Sequence, residues 1–213
     1  MGLTNRQLAN KQLAMHVLEK MELRGFKGYY CDSSKDTVDL LKSILPEKAS
    51  VTFGGSETLK ECGVAELLKS GSYEFIDRSL AQSQTEVREL YAKMTLADYF
   101  FMSANAITYD GQLVNIDGTG NRTAFLIHGP KNVVVIAGMN KLIHTLDMAI
   151  DRAKNIAAPP NAVRLNKNTP CKELGRCADC LSEECICCNT VITRRSYQKD
   201  RIIVILVNED LGY

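Results

Sequence analysis

The chain has 213 residues, of which 45% are hydrophobic and 24% are charged, the balance of a globular protein with a sizeable core. Its 26 basic and 25 acidic residues give a formal net charge of +1, and no run of basic residues occurs. Nucleic acids and anionic membranes usually require a concentrated basic surface, so we expect neither as a partner.

The sequence also predicts a cytoplasmic location. The N-terminus lacks the apolar core of a signal peptide, and the longest apolar stretch, residues 133–139, is too short to span a bilayer. Because the cytoplasm is reducing, the eight cysteines are expected to be thiols or metal ligands rather than disulfides.

The first half of the chain alternates helical and extended patterns. A capping box at residues 4–7 predicts a long amphipathic helix that ends at Gly25 and either packs on the domain or forms a dimer contact. The predicted elements that follow are strands at 26–31, 50–53 and 73–77, a helix from Ser33 or Ser34 to Pro46, and helices at 56–68 and 79–97.

The second half begins with a hairpin signal. Asp110-Gly111, between apolar runs at 99–108 and 112–116, predicts a two-residue hairpin loop. Further along, residues 123–127 fit a helix or a strand, 132–137 fit a strand buried on both faces, and 201–207 fit a late strand. Asn140 is predicted to cap a helix from Lys141 to about Ala157, which Pro159-Pro160 would end.

Strands that alternate with helices predict an α/β fold with a layered, mostly parallel sheet and an antiparallel hairpin. We expect one domain over residues 1–213. Within it, residues 159–189 contain six cysteines and few periodic apolar positions, and they are predicted to form an irregular, cysteine-rich excursion.

A glycine-rich segment at residues 53–58 is the first candidate site. Gly54 and Gly55 allow a ligand to approach the backbone, and the start of the following helix favours an anion. Ser56 and Thr58 supply hydroxyl groups, and Glu57 is a candidate acid, base or nucleophile. The alternative is an ordinary turn in which Ser56 caps the helix.

A second glycine-rich segment runs from Asp117 to Arg122. Gly118, Thr119, Gly120 and Asn121 fit a backbone nest, with Arg122 as a bidentate anion clamp. Asp117, the second candidate catalytic residue, would orient Arg122 or bind a ligand hydroxyl. A surface turn is the alternative. Because the ends of parallel strands meet at one edge of the sheet, this segment is predicted to share a pocket with residues 54–56.

The cysteines near the C-terminus form the third candidate site. A Cys-x2-Cys pair is half of a zinc or iron–sulfur site, and this stretch offers no histidine. Two adjacent cysteines do not readily bind the same ion, so one of the last pair is predicted to be spare. A thiol-rich loop with one redox pair is the alternative. The predicted ligands are Cys171, Cys177 and Cys180, and the spacing allows Cys185, Cys187 or Cys188 as the fourth. Of these three, Cys187 or Cys188 is the favoured fourth ligand.

Together these segments resemble the LUD (lactate utilisation) domain family. The resemblance lies in residues 53–58, 103–122, 129–141, 157–165, 169–171, 177–180 and 207–213. It implies a fold similar to ribose-5-phosphate isomerase, glucosamine-phosphate isomerases and CoA transferases. It also implies a link to L-lactate oxidation, in which LUD proteins act beside iron–sulfur partner proteins. Asn105, Asn140 and Lys141 lie in the matching stretches and complete the predicted ligand-binding set.

The sequence is compatible with three functions. The first is a subunit or enzyme of L-lactate oxidation that binds a small anionic ligand, either a hydroxy- or keto-acid or an associated cofactor. The second is an electron-transfer or assembly protein that carries zinc or an iron–sulfur cluster. The third is an isomerase or transferase for a phosphorylated or CoA-linked substrate. Self-association is also left open.

Overall fold

The computed structural model describes residues 3–213 and shows an α/β architecture around a six-stranded sheet. The strands of this sheet are β1 (Lys27–Cys31), β2 (Ser50–Phe53), β3 (Glu74–Phe75), β4 (Tyr99–Met102), β7 (Asn132–Gly138) and β10 (Ile202–Val207). Their order is β1-β10-β7-β4-β2-β3, and every neighbouring pair is parallel. The predicted α/β fold with a mostly parallel sheet is confirmed.

A smaller mixed sheet packs beside the first. Its strands are β5 (Ala106–Thr108), β6 (Leu113–Asp117), β8 (Leu142–Ile143) and β9 (Asn189–Thr193). Their order is β8-β5-β6-β9, in which β6 pairs antiparallel with both β5 and β9, and β5 pairs parallel with β8.

Helices cover both faces of the main sheet. Their bounds are α1 Asn5–Leu23, α2 Ser34–Ile44, α3 Glu57–Glu61, α4 Val64–Leu68, α5 Gln84–Thr95, α6 Asn121–Ile127, α7 Leu146–Arg152, α8 Ala158–Arg164 and α9 Pro170–Leu174. The predicted capping box at Thr4 and Gln7 is present at the start of α1. Within residues 3–213, no helix has the length and apolarity that a membrane crossing requires.

The central strands are buried on both faces, as their continuous apolar sequence predicts. Along β7, Val133 and Val135 belong to the core beneath α1 and the small sheet, whereas Val134 and Ile136 pack with α2 and α4. β10 alternates in the same way. Helices and the small sheet therefore cover both faces of these strands.

Several predicted helices are shorter than their sequence patterns suggest. The predicted helix at 56–68 is interrupted at Gly63, whose φ of +73° ends α3 and starts α4. The predicted helix at 79–97 begins only at Gln84, because Ser83 caps it and a short 3-10 turn, Arg78–Leu80, precedes it. The undecided segment 123–127 is helical and belongs to α6.

The predicted helix after Asn140 is wrong in its start and in its end. Met139–Lys141 is a 3-10 turn that leads into β8, and Thr145 caps α7 instead. A π-helical turn, Ala153–Ala157, joins α7 to α8. Pro159 and Pro160 follow this π-helical turn directly at the start of α8, and they do not end the helix. Residues 159–189 are therefore helical at α8 and α9, and only part of them is irregular.

The hairpin forms, but its loop is longer than the two residues predicted. Thr108 N–H donates to Gln112 O (3.0 Å), so three residues, Tyr109 to Gly111, form the loop. Gly111 has a φ of +87°, which suits glycine. The apolar run at 99–108 is not one strand, because β4 lies in the main sheet and β5 in the small one.

Candidate functional site

A cavity of about 320 Å³ lies at the carboxyl edge of the main sheet. Its wall includes Gly54, Ser103 and Lys141, which follow β2, β4 and β7 respectively. Parallel strands end at the same edge, so loops that are far apart in sequence meet there. The predicted segments contribute Gly54, Gly55, Ser56, Glu57, Thr58, Asn105, Asp117, Gly118, Thr119, Asn121, Arg122 and Lys141 to this wall. The structure thus brings both glycine-rich segments together, and their role in binding stays a prediction. We call this space the carboxyl-edge cavity.

Lys141 is a buried amine at this cavity. Its side chain is almost fully enclosed, with the residue 3% exposed, and Nζ donates to Thr58 Oγ1 (2.9 Å) and Ser103 Oγ (3.0 Å). Among the residues that the structure describes, no carboxylate forms a salt bridge with it. A buried cation without a partner is costly, so Lys141 is suited to an anion brought by a ligand.

The surroundings of Lys141 also make it easy to deprotonate. Burial lowers the pKa of Lys141 to about 7, and the positive charges of Arg152 and Arg122 act in the same direction. An amine with a pKa in this range changes its charge near neutral pH, as lysines that act as bases or react with carbonyl groups do.

The guanidinium group of Arg122 is fully engaged by hydrogen bonds and an ion pair within the protein. It therefore does not form the free anion clamp that the sequence predicted. Its guanidinium donates to Asn115 Oδ1 (2.7 Å), Ser103 O (2.8 Å), Ile116 O (3.0 Å) and Asn105 Oδ1 (3.2 Å), and Nε lies 3.4 Å from Asp117 Oδ2. A Cβ at Gly54 would lie 3.4 Å from Arg122 Cγ, so this glycine lets the arginine approach closely. Arg122 therefore joins the β4 and β6 ends and leaves no free fork for a ligand.

The two predicted catalytic carboxylates line the cavity but are already paired. Glu57 Oε1 lies 2.9 Å from Lys60 Nζ and 3.6 Å from Arg164 Nε. Asp117 accepts from the backbone N–H of Thr123 (3.1 Å) in addition to its contact with Arg122. Their catalytic role remains untested.

Predicted site residues also have structural tasks. The Ser56 hydroxyl accepts from Leu59 N–H (3.3 Å), so it caps α3 while lining the cavity, and the proposed capping turn is present. Asn121 Nδ2 donates to Tyr91 Oη (2.6 Å). Because α3 has five residues and α6 has seven, the expected helix-dipole contribution is small, and charged side chains dominate the site.

Gly120 and Asn140 are predicted ligand-binding residues that do not line the cavity. Gly120 has a φ of +77° and forms the N-terminal cap of α6. Asn140 binds the C-terminal segment, because Leu211 N–H donates to its Oδ1 (3.1 Å) and its Nδ2 donates to Gly212 O (3.1 Å). The amide of Asn140 therefore holds residues 211–212 in place and is not free for a ligand.

Sequence reasoning missed several residues of the wall. Arg78, Arg164 and Lys167 lie there, so five basic residues face two acidic ones, Glu57 and Asp117. Tyr213 also lines the cavity, and within residues 3–213 its buried hydroxyl has no hydrogen-bond partner. These basic residues come from separate elements and show no local motif. The excess of positive charge favours an anionic ligand.

A second cavity, of about 330 Å³, is lined by Cys171, Cys177, Cys180, Cys185 and Cys187, and we call it the cysteine cavity. Cys188, one of the two favoured fourth ligands, is exposed and lies outside its wall, whereas Cys185, the less favoured candidate for that position, lies inside it. All eight cysteines are free thiols. In the described part of the chain, no three His, Cys, Asp or Glu side chains are arranged to hold a single metal ion.

The fold and site define an α/β protein with a ligand-sized cavity at the carboxyl edge of a parallel sheet. The family model of the LUD domain matches residues 14–207, and the chain belongs to the LUD domain family, which is associated with lactate utilisation in general. No curated protein matches the chain.

One solved structure shows a similar fold, and two others match less well. The chain resembles a DUF162 family protein from Deinococcus radiodurans with a TM-score of 0.53 and 10% sequence identity, covering 97% of this chain and 99% of that one. The eIF2B-beta2-delta2 complex from C. thermophilum matches with a TM-score of 0.42 and 12% identity, over 80% of this chain and 55% of the other. Ribose 5-phosphate isomerase from Plasmodium falciparum matches with a TM-score of 0.33 and 17% identity, over 52% of each chain.

Proposed function

We propose that this protein binds a small hydroxy- or keto-acid in the carboxyl-edge cavity, as a subunit or enzyme of L-lactate oxidation in the cytoplasm. The observation that carries the proposal is Lys141, a buried amine at the cavity with two hydroxyl partners and, among residues 3–213, no carboxylate in a salt bridge with it. Membership of the LUD family supports the link to lactate utilisation.

The charge of the cavity supports an acid as the ligand. Glu57 and Asp117 are neutralised by neighbouring cations, whereas Lys141, Arg78 and Lys167 make no salt bridge within the described residues. A carboxylate would supply the missing negative charge and accept hydrogen bonds from the amine, and such bonds are stronger than neutral ones.

The size of the cavity supports a small molecule. Its volume of about 320 Å³ is at the lower end of the ~300–1,000 Å³ that is usual for small-molecule sites. Tyr213 adds a hydroxyl that needs a partner, which a C2 oxygen of the acid would provide. The proposed ligand therefore contacts Lys141 with its carboxylate and Tyr213 with its C2 oxygen.

Calorimetric titration with L-lactate and pyruvate tests the proposal, with lactamide as the uncharged control. We expect the acids to bind and lactamide not to bind. In Lys141→Met, affinity for the acids should fall at least tenfold, whereas Lys199→Met, an exposed lysine away from the cavity, should leave it unchanged. Equal binding of lactamide, or unchanged affinity in Lys141→Met, would contradict the proposal.

The same titration separates the third function from the first. Ribose 5-phosphate and CoA serve as probes for an isomerase or transferase of phosphorylated or CoA-linked substrates. Tight binding of either probe, without binding of lactate or pyruvate, would favour that alternative.

A further inference from the structure

The cysteine cavity has a wall of sulfur atoms from three short segments. Cys171 lies in α9, Cys177 and Cys180 lie in the loop that follows, and Cys185 and Cys187 precede β9. Charged side chains in the wall are limited to Lys154 and Asp179, which pair with each other at 3.0 Å. The remaining wall is uncharged, so the cysteines are its main reactive groups.

Backbone and hydroxyl groups are already directed at several of these sulfurs. Asp179 N–H donates to Cys177 Sγ (3.3 Å), and Cys187 N–H donates to Cys185 Sγ (3.4 Å). Thr169 Oγ1 lies 3.3 Å from Cys171 Sγ. Asp179 has a φ of +49°, an uncommon conformation for a residue other than glycine. Hydrogen bonds to cysteine sulfurs are among the interactions that set the properties of iron–sulfur sites.

The volume of the cysteine cavity leaves room for a group larger than a single ion. Structural zinc is held by four ligands around one ion. Within residues 3–213, no three His, Cys, Asp or Glu side chains are arranged to hold one ion. A cavity of about 330 Å³ instead has room for several water-sized volumes of ~30 Å³ each. An iron–sulfur cluster fits this situation, because its four cysteine ligands surround a core of several atoms.

Five cysteines line the cavity, but the sulfur atoms of two of them are in contact with each other. Cys185 Sγ and Cys187 Sγ are 3.1 Å apart, so one sulfur can bind while the other remains its hydrogen-bonding neighbour. We propose that the cysteine cavity binds an iron–sulfur cluster through Cys171, Cys177, Cys180 and one sulfur of the Cys185–Cys187 pair.

The cluster site shares a wall with the carboxyl-edge cavity. Ile186, between the paired cysteines, lines both cavities, and a Cβ at Gly118 would lie 3.4 Å from Ile186 Cα. A bound cluster would thus lie one residue away from an acid in the neighbouring cavity. The cluster proposal rests on the cysteines alone and stands independently of the proposed ligand.

Metal and sulfide analysis of the full chain tests the inference. After anaerobic purification, or reconstitution with ferrous iron and sulfide, we expect iron and acid-labile sulfide in equal amounts, about two or four of each per chain. Dithionite should bleach the visible absorption and produce an electron paramagnetic resonance signal. Zinc without sulfide, or no metal with all eight thiols reactive, would overturn the inference.

Two sets of variants locate the cluster. The double variant Cys177→Ala/Cys180→Ala and the single variant Cys171→Ala should each lose most of the iron and sulfide. Cys188→Ala, which changes an exposed thiol outside the cavity, should retain both. Circular dichroism checks that each variant remains folded. Full iron and sulfide in a folded double variant would overturn the assignment, and the single variant provides the same test if the double variant does not fold.

Discussion

Lys141 Nζ lies 2.9 Å from Thr58 Oγ1, although the two residues are 83 positions apart. The contact joins α3, the helix that follows β2, to the turn after β7, and it places an amine in the wall of the carboxyl-edge cavity. Gly212 packs against the same threonine, because a Cβ there would lie 2.6 Å from Thr58 Oγ1. The C-terminal segment therefore covers the amine and contributes to its burial.

The proposed binding of an acid should depend on pH through Lys141. Burial lowers the pKa of Lys141 to about 7 in the free protein, so above this pH the amine must take up a proton when an anion binds. We expect the dissociation constant of pyruvate to be constant below pH 7 and to rise by up to about tenfold per pH unit above it. Titrations at pH 6, 7, 8 and 9 test this, and a flat profile across that range would contradict it.

The stability of the protein should increase with pH, whereas the affinity for the acid should decrease. Because the pKa of Lys141 is about 7 when folded and 10.5 in its ordinary state, the unfolded chain binds more protons between these values. Lys141 therefore destabilises the fold at low pH, and this penalty is lost as the pH rises. Relative to Lys141→Met, the wild-type free energy of unfolding should increase by up to about 1.4 kcal/mol per pH unit above pH 7.

Urea denaturation at pH 7, 8 and 9 measures this difference. Lys199→Met serves as the control, because this exposed lysine should change stability by a constant amount at every pH. If the difference between wild type and Lys141→Met does not vary with pH, Lys141 is not the buried amine described above.

Arg122→Lys should weaken the fold and not only the binding of a ligand. Lysine retains the positive charge but not the planar set of donors, so acceptors on Ser103, Asn115 and Ile116 lose their partners. We expect the free energy of unfolding to fall by about 3 kcal/mol. The exposed Arg88→Lys should change it by less than about 0.5 kcal/mol. Unchanged stability with a large loss of ligand affinity would restore Arg122 as an anion clamp.

Asn140→Ala should release the C-terminal segment from the cavity. The variant removes the acceptor of Leu211 N–H and the donor to Gly212 O, while the main sheet keeps its contacts. Amide hydrogen exchange at Leu211 should accelerate by about tenfold or more, since one hydrogen bond contributes about 1 kcal/mol or more. Exchange at Val134 in β7 serves as the internal reference. Unaltered protection of Leu211 would show that other contacts hold the segment.

Much of the fold could be predicted from the sequence because its signals are local. The cap at Thr4 depends on Gln7, three residues away, and the apolar run of β7 reports burial on both faces without reference to any partner strand. The convergence of residues 54–56 with 121–122 also followed, because it requires only that parallel strands end at one edge. Local patterns gave wrong helix bounds at two places. Gly63 interrupts a helix that was predicted to be continuous, and Pro159 and Pro160 lie at the start of a helix where an end was predicted.

The tertiary structure decided which side chains meet. Nothing near Arg122 in the sequence shows that it contacts Ser103 and Asn115, and nothing near Asn140 shows that it holds Leu211. The spacing of the cysteines likewise could not show that Cys185 lines the cysteine cavity and that Cys188 does not. The sequence determined the α/β class and the two glycine-rich segments of the carboxyl-edge cavity, because these follow from periodicity and glycine content. The partners within each site depend on strand order and register, which arise only when distant segments pack together.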